Sequence, residues 1–400
     1  MPRHTVISAD CHAGASYAHG GFLEYIDAPY RERARWEMER LTAEHEARSR
    51  LFAEEFMQAQ DSTQAAMQGG RSGAWDPERR ARELDADGIA AEVIFPDGSQ
   101  NNAAPFQAAE GPGAVGADHA LQSVGAWAYN RWLADFVSDS PTRRLGVIQL
   151  PAAHDVDALV AETKRAHADG LRGGILVPPL EPGLPGYHDP HYDPLWALAA
   201  ERGLPVSVHG GNARAPDGPD AYGPEEPLAS FFHFTESAFF DRRPLWFFIW
   251  GGVFDRHTGL KLVFAEALSH WVPQEIMRLD EMIDMWNSRQ LRERIQHRPS
   301  DYWRERCAIT ATFISRGEAE MRHEIGVRNM MWGSDYPHPE GSWPVTRQQQ
   351  VDSLHGVPEN EIEAILGGNA VEFYGLDVEK LAPIAARIGP EKGTFKEAKV

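Results

Sequence analysis

Eight short runs of apolar, β-branched residues recur along the chain, at 6–11, 92–96, 145–150, 173–177, 205–209, 261–267, 307–313 and 329–335, with amphipathic helical patterns between most of them. Strands that alternate with helices predict a parallel sheet, because parallel neighbours need a crossover between them. Eight such units are the number that closes into a (β/α)8 TIM barrel, an α/β fold. The punctuation agrees. Asp155 is placed to cap a helix over 155–169 that stops at Gly170, and the pattern 193–202 ends at Gly203 and Pro205. Residues 273–287 carry Ile276, Leu279, Met282, Ile283 and Trp286 at helical spacing. A closing helix spans 359–374 with a weak point at Gly367-Gly368.

Two stretches break the rhythm. An insertion at about 30–82 follows the first strand and opens with an Arg-, Glu- and Ala-rich surface helix carrying Glu44/Arg48 and Glu46/Arg50 pairs. A long excursion, 210–259, is crowded with Phe and Trp and is expected over the C-terminal mouth, where barrels build their sites. Residues 1–376 read as one barrel and 377–400 as a partly ordered tail.

Composition excludes several partners. With 59 acidic against 39 basic residues the net charge is −20, which argues against nucleic acid and against an anionic membrane surface. The longest apolar stretch, 244–254, is too short to span a bilayer, and the N-terminus lacks the apolar core of a signal peptide. Cys11 and Cys307 make no disulfide framework, so a reducing cytoplasm is expected. Acidity alone names no substrate, and a small-molecule substrate is expected from the chemistry at the strand ends. The aromatic surplus of the excursion suggests pocket wall, subunit interface or both, and the interface reading gives a homodimer.

Chemistry gathers at the strand ends. In Val6-Ile7-Ser8-Ala9-Asp10-Cys11-His12, alternation sends Asp10 and His12 to one face and Cys11 to the other. A carboxylate and an imidazole two apart form a ready pair of metal ligands, or a simple hydrogen-bonded pair. His209 ends the fifth run before Gly210 and Gly211, glycines that permit close backbone approach. Glu266 shares a face with Leu262 and Phe264, and Asp335 shares one with Met331 and Gly333. Four strand ends delivering Asp/His, His, Glu and Asp point to a mononuclear metal site more than to four separate core polar groups.

These motifs resemble the amidohydrolase-related (amidohydrolase 2) branch of the amidohydrolase superfamily. The matching residues are Asp10-Cys11-His12, Trp75-Asp76-Pro77 with Leu84-Asp85-Ala86-Asp87-Gly88, Gly252-Val253-Phe254-Asp255-Arg256, Glu266 with Trp271, Trp332-Gly333-Ser334-Asp335-Tyr336-Pro337-His338-Pro339, and Gly367-Gly368-Asn369-Ala370. The resemblance implies a distorted (β/α)8 barrel with a divalent metal at its C-terminal mouth and Asp10, His12, His209 and Asp335 as ligands. Asp335 would also take the proton from attacking water. The branch often has His-x-His or Glu-x-His in the first strand, so Asp10 makes the site richer in oxygen. Zn²⁺ is expected, with Mn²⁺ as the alternative.

Glu266 is left open between ligand, proton shuttle and substrate clamp. His270 and His338 join it as candidates for acid–base work, and His233, Trp271 and Arg242 as candidates for contact with substrate. His257 reads as a turn residue, and Cys11 and Cys307 as buried, inert thiols. Decarboxylases of the branch often carry a His at or beside the sixth strand, where this chain has Glu266. Hydrolysis of an amide, ester or lactone is therefore the first expectation, decarboxylation of an aromatic or unsaturated acid the second, and a non-catalytic binding barrel the third.

Overall fold

The computed structural model describes residues 2–43, 72–96, 102–106, 118–152, 155–178, 180, 183–210, 229–285, 289–311, 313–338 and 340–396, without the side chains of 229–231, 233, 234 and 311. Its strands are β1 (Val6–Ala13), β2 (Ile89–Pro96), β3 (Arg144–Gly146), β4 (Ile148–Gln149), β5 (Ile175–Leu176), β6 (Val206–His209), β7 (Leu262–Ala265), β8 (Cys307–Ala311) and β9 (Met330–Trp332). All ladder pairs are parallel, in the orders β1-β2-β3 and β4-β5-β6-β7-β8-β9. The third expected run is thus split. Its halves still make one stave, because the Val147 amide between them donates to Ile94 O (2.9 Å) while the Ile148 amide turns to Gly174 O on the other side (2.9 Å).

The remaining gap closes at the residues of most interest. The Asp335 amide donates to Asp10 O (2.9 Å) and the His12 amide to Tyr336 O (2.7 Å), joining β1 to the chain after β9. The result is the (β/α)8 TIM-barrel fold.

Two apolar layers hold it. Inside the barrel lie Ile7, Ala9, Ala91, Val93, Phe95, Leu145, Val147, Val263, Ala265, Ala308 and Met331, with Ala370, Tyr374 and Leu381 packed into the same cluster. Val206, Val208, Leu262, Phe264, Cys307, Ile309, Met330 and Trp332 face the surrounding helices instead. Each Val, Leu, Ile, Phe or Met side chain fully buried in these layers contributes about 1.5–3 kcal/mol.

Helix ends follow the expected chemistry. Asp155 caps Val156–Ala168 by accepting from the Ala158 amide, and Gly203 takes the left-handed conformation (φ +65°) after Asp193–Arg202. The weak point in the closing helix is a π segment, Ala364–Gly368, where a Cβ on Gly367 would lie 2.1 Å from Thr5 O. Residues 31–43 are helical as expected of the insertion, whose Glu44/Arg48 and Glu46/Arg50 pairs, like Trp286, lie outside the described residues.

The expectation of a partly ordered tail is corrected. Val378–Ile388 is a helix that buries Leu381, Ala385 and Ile388, and its Leu381 joins the barrel cluster. Beyond it the chain clasps the N-terminus: His4 N donates to Pro390 O, Lys392 N to Pro2 O, and Arg3 bridges to Glu391. Among the described residues no helix is long and apolar enough to cross a membrane.

Candidate metal centre

β1 delivers two ligand candidates because it bulges. Its register against β2 runs Ser8↔Glu92 and then Cys11↔Ile94, so three residues of β1 answer two of β2. Ile7 and Ala9 lie in the inner cluster, whereas Ser8 and Cys11 touch each other (3.1 Å) on the outside. Asp10 and His12 are left at the mouth.

The four expected ligand residues converge there. His12 Nε2 lies 3.6 Å from Asp10 Oδ1 and 3.1 Å from Asp335 Oδ1, and His209 Nε2 lies 3.5 Å from the same Asp10 oxygen. Asp10, His12 and His209 each place a ligand atom within 4.8 Å of the others, as do His12, Asp335 and His338, and Glu266, Asp335 and Glu340. Both Asp10 oxygens and His12 Nε2 are buried without a hydrogen-bond partner. A buried carboxylate with no donor costs several kcal/mol unless a cation compensates it, so this donor set fits a divalent ion.

Each imidazole is aimed by its other nitrogen. His12 Nδ1 donates to Pro96 O (2.9 Å), which leaves the lone pair on Nε2. Burial and the neighbouring His338 hold His12 below its ordinary pKa, which favours the neutral, ligating form, while Asp335 opposes them. His209 Nδ1 faces Gly210 O (3.2 Å) and Glu266 Oε2 (3.3 Å). Burial works against a charge on His209, but the adjacent Asp10, with Glu266, raises it to about 9, and an ion bound at Nε2 would displace that proton.

Glu266 reaches the site by a route that alternation does not give. Leu262 and Phe264 face the helices, so a regular strand would send Glu266 outward as well. Its backbone is left-handed instead (φ +50°), which turns the carboxylate toward His209. Gly210 makes this possible, since a Cβ there would lie 2.2 Å from Glu266 O. Burial raises the Glu266 carboxyl to about 8, with Asp10 and Asp335 adding to the rise and His209 opposing it.

Asp335 is also left-handed (φ +54°). Non-glycine residues in this region cost roughly 1–3 kcal/mol and cluster at functional sites. His12 and His338 (Nδ1 to Oδ1, 3.0 Å) hold the Asp335 carboxyl well below the usual range despite burial. His338 stacks on His12 with ring centroids 4.0 Å apart, which brings it into the centre.

Other candidates lie elsewhere. His270 is half exposed beside Glu318 (3.9 Å) rather than in the cluster, because the turn Ser269–Trp271 directs it there. Trp271 packs in the helix layer against Phe264 and Trp303, donates to Ala267 O, and carries Arg242 over its face at 5.0 Å. These two expected roles, acid–base for His270 and substrate contact for Trp271, have no support in this placement. The His233 side chain lies outside the described residues. His257 bonds Asp193 (3.0 Å), consistent with its structural reading, and burial pushes both thiols up.

The sequence reading missed Phe95, whose ring lies 5.1 Å from that of His209, and the buried pair Arg80–Glu92 beneath His12. A glutamate inside the apolar run Ala90-Ala91-Glu92-Val93-Ile94 was the available signal, since it needs a buried cation.

The chain is similar to 2-amino-3-carboxymuconate-6-semialdehyde decarboxylase of Dictyostelium discoideum, 25% identical over 330 residues that cover 77% of this chain and 79% of the relative. Its fold is similar to that of 5-carboxyvanillate decarboxylase from Sphingomonas paucimobilis (21% identical, TM-score 0.58, 75% of this chain and 83% of that one). It is also similar to that of dihydroxybenzoic acid decarboxylase from Polaromonas sp. JS666, solved with bound manganese and the inhibitor 2-nitroresorcinol (18% identical, TM-score 0.62, 93% and 97%). Residues 9–376 match the amidohydrolase family, from just before the first ligand candidate to just past the closing helix, and the chain belongs to that family.

Proposed function

We propose that this protein is a metal-dependent, non-oxidative decarboxylase of a small aromatic or unsaturated carboxylic acid. The reading replaces hydrolysis as the first expectation. The observation that carries it is the placement of Glu266, whose left-handed backbone turns its carboxyl to the mouth, with Oε2 3.3 Å from His209 Nδ1, where burial favours the protonated form and lets it serve as a general acid. The decarboxylase similar over 77% of the chain supports the same choice.

Asp10, His12 Nε2, His209 Nε2 and Asp335 would hold the ion. Two carboxylates make a hard, oxygen-rich donor set, which together with the manganese in the Polaromonas structure favours Mn²⁺ over the Zn²⁺ first expected. When bound, the ion would draw in the substrate's carboxylate and an adjacent hydroxyl and offset their charge.

The protein's own groups do the rest. His338 stacks on His12 and steadies Asp335, while His209 Nδ1 keeps Glu266 at the mouth. Glu266 gives its proton to the carbon that bears the carboxylate. That new carbon–hydrogen bond draws its electron pair from the substrate's π system; the carbon–carbon bond then breaks, its electron pair restores the π bond, CO₂ departs, and solvent reprotonates Glu266.

The test is CO₂ release from hydroxylated benzoic acids and unsaturated dicarboxylic acids by protein stripped of metal and reloaded with Mn²⁺. Release that depends on Mn²⁺ is expected. Hydrolysis of lactones, esters or amides by the reloaded protein, with no CO₂ from any acid, restores the hydrolase reading.

A further inference from the structure

Arg80, on the helix Pro77–Asp87, is fully buried. Its Nε and Nη2 donate to Glu92 of β2 at 2.8 and 2.6 Å. Its Nη1 is committed elsewhere, to the carbonyls of His12 (2.8 Å) and Gly73 (3.0 Å). The guanidinium also lies 5.0 Å from the centre of the Tyr336 ring, and Tyr336 O accepts from the His12 amide (2.7 Å). Gly73 leaves no slack: a Cβ there would fall 1.7 Å from the Tyr336 hydroxyl. One cation therefore touches β2, the backbone of ligand candidate His12, and the residue that follows ligand candidate Asp335.

We infer that Arg80 is a positioning residue of the metal centre, acting through the His12 carbonyl and the Tyr336 ring to hold Asp10, His12 and Asp335 together at the seam where the barrel closes. The inference rests on the reading of that cluster as a metal site. Stability alone is a weak reason for the arrangement, because a buried ion pair gains little over well-packed apolar residues. The bidentate bond to Glu92 already pairs the charge, whereas the Nη1 bonds reach the mouth and set its geometry.

Arg144 provides the control. It belongs to the same buried network, with Nε 3.5 Å from Glu92, but its hydrogen bonds go to Phe136 O, Pro77 O and Asp139, away from β1. Mn²⁺ affinity is measured by spin-resonance titration of metal-stripped protein without substrate, beside thermal unfolding of the same samples. Arg80→Lys and Arg80→Met should weaken Mn²⁺ binding by roughly 10–100-fold, the range for groups that orient ligands. Arg144→Lys should lower the unfolding temperature comparably and leave Mn²⁺ affinity as in the parent.

Parent-like affinity in the Arg80 variants overturns the inference. So does an equal loss in Arg144→Lys, which would mark a purely structural network. Should the Arg80 variants not fold, Tyr336→Leu removes the ring while keeping the Arg80–Glu92 pair, and parent-like affinity there overturns the inference as well. A parent protein that binds neither Mn²⁺ nor Zn²⁺ refutes the metal reading itself, whereas binding that ignores Arg80 refutes only its positioning role.

Discussion

Replacing Glu266 by Gln separates the proposed proton donor from the metal ligands around it. The amide keeps the shape of the carboxyl and a contact with His209 Nδ1, now 3.3 Å from Glu266 Oε2, but has no proton to give. With its carboxyl raised to about 8, Glu266 is roughly nine-tenths protonated at pH 7 and about one-tenth at pH 9. Activity of the parent should therefore fall on the alkaline side with a limb at or below about pH 8. Burial is the main cause of the rise, while a dication between Asp10 and Asp335 offsets their smaller contribution and moves the limb toward neutrality. Loss of a general acid costs about 10²–10⁴-fold in rate. In Glu266→Gln, kcat should drop by that amount and the alkaline limb should disappear, with Mn²⁺ affinity held within the error of a titration. Steady-state CO₂ release from pH 5.5 to 9.5, beside a metal titration of both proteins, reads all three. A variant with parent kcat refutes the proton-donor role, and one that loses Mn²⁺ makes Glu266 a ligand instead.

Two further outcomes follow from packing and burial. Asp87 is buried, accepts from Thr346 Oγ1 (2.5 Å), and has its carboxyl pushed up to about 7 by burial, with Glu83 adding to the rise and Thr346 and Arg347 opposing it. The folded state binds the extra proton, so stability should fall as pH rises from about 4 through 7, by about 4 kcal/mol for a shift near three units. Asp87→Asn should remove most of this decline, and denaturant-unfolding curves that run parallel for the two proteins would refute it. Gly210→Ala puts a methyl 2.2 Å from Glu266 O, an overpacking that should cost about 1–3 kcal/mol in thermal unfolding and displace Glu266. Activity should fall by more than the loss of folded protein, and a variant equal to the parent in both readings would contradict the close approach.

Much of the barrel was legible because its signals are local. β-branched runs, capping Asp155 and the stop at Gly203 each act within a few residues. His209 was legible for the same reason, and so was the shared face of Asp10 and His12, since side chains on a strand follow a period of two, but only the bulge in β1 brings that face to the mouth. Glu266 was found by an argument that fails in detail. Phe264 faces the helices, and only a left-handed backbone turns the next even residue inward. A positive φ at a non-glycine residue is imposed by tertiary contacts, here the approach of Gly210, and no local propensity announces it. Arg80 and Glu92 stand on a helix and the following strand, so their pairing depends on a packing geometry the sequence pattern does not give. The helix 378–388 was overlooked for its Lys, Glu and Pro content, although Leu381, Ala385 and Ile388 already carry a helical spacing.

The central claim, decarboxylation at a metal centre with Glu266 as proton donor, is tested most directly by the fate of solvent atoms. Mn²⁺-loaded protein is supplied with an acid that it turns over, once in D₂O and once in ¹⁸O-labelled water, and the organic product is read by NMR and mass spectrometry. One deuterium at the carbon that carried the carboxylate, with no ¹⁸O in the product and one CO₂ per turnover, is the predicted result. A product that gains ¹⁸O with its carboxylate retained would contradict it and make this protein a hydrolase.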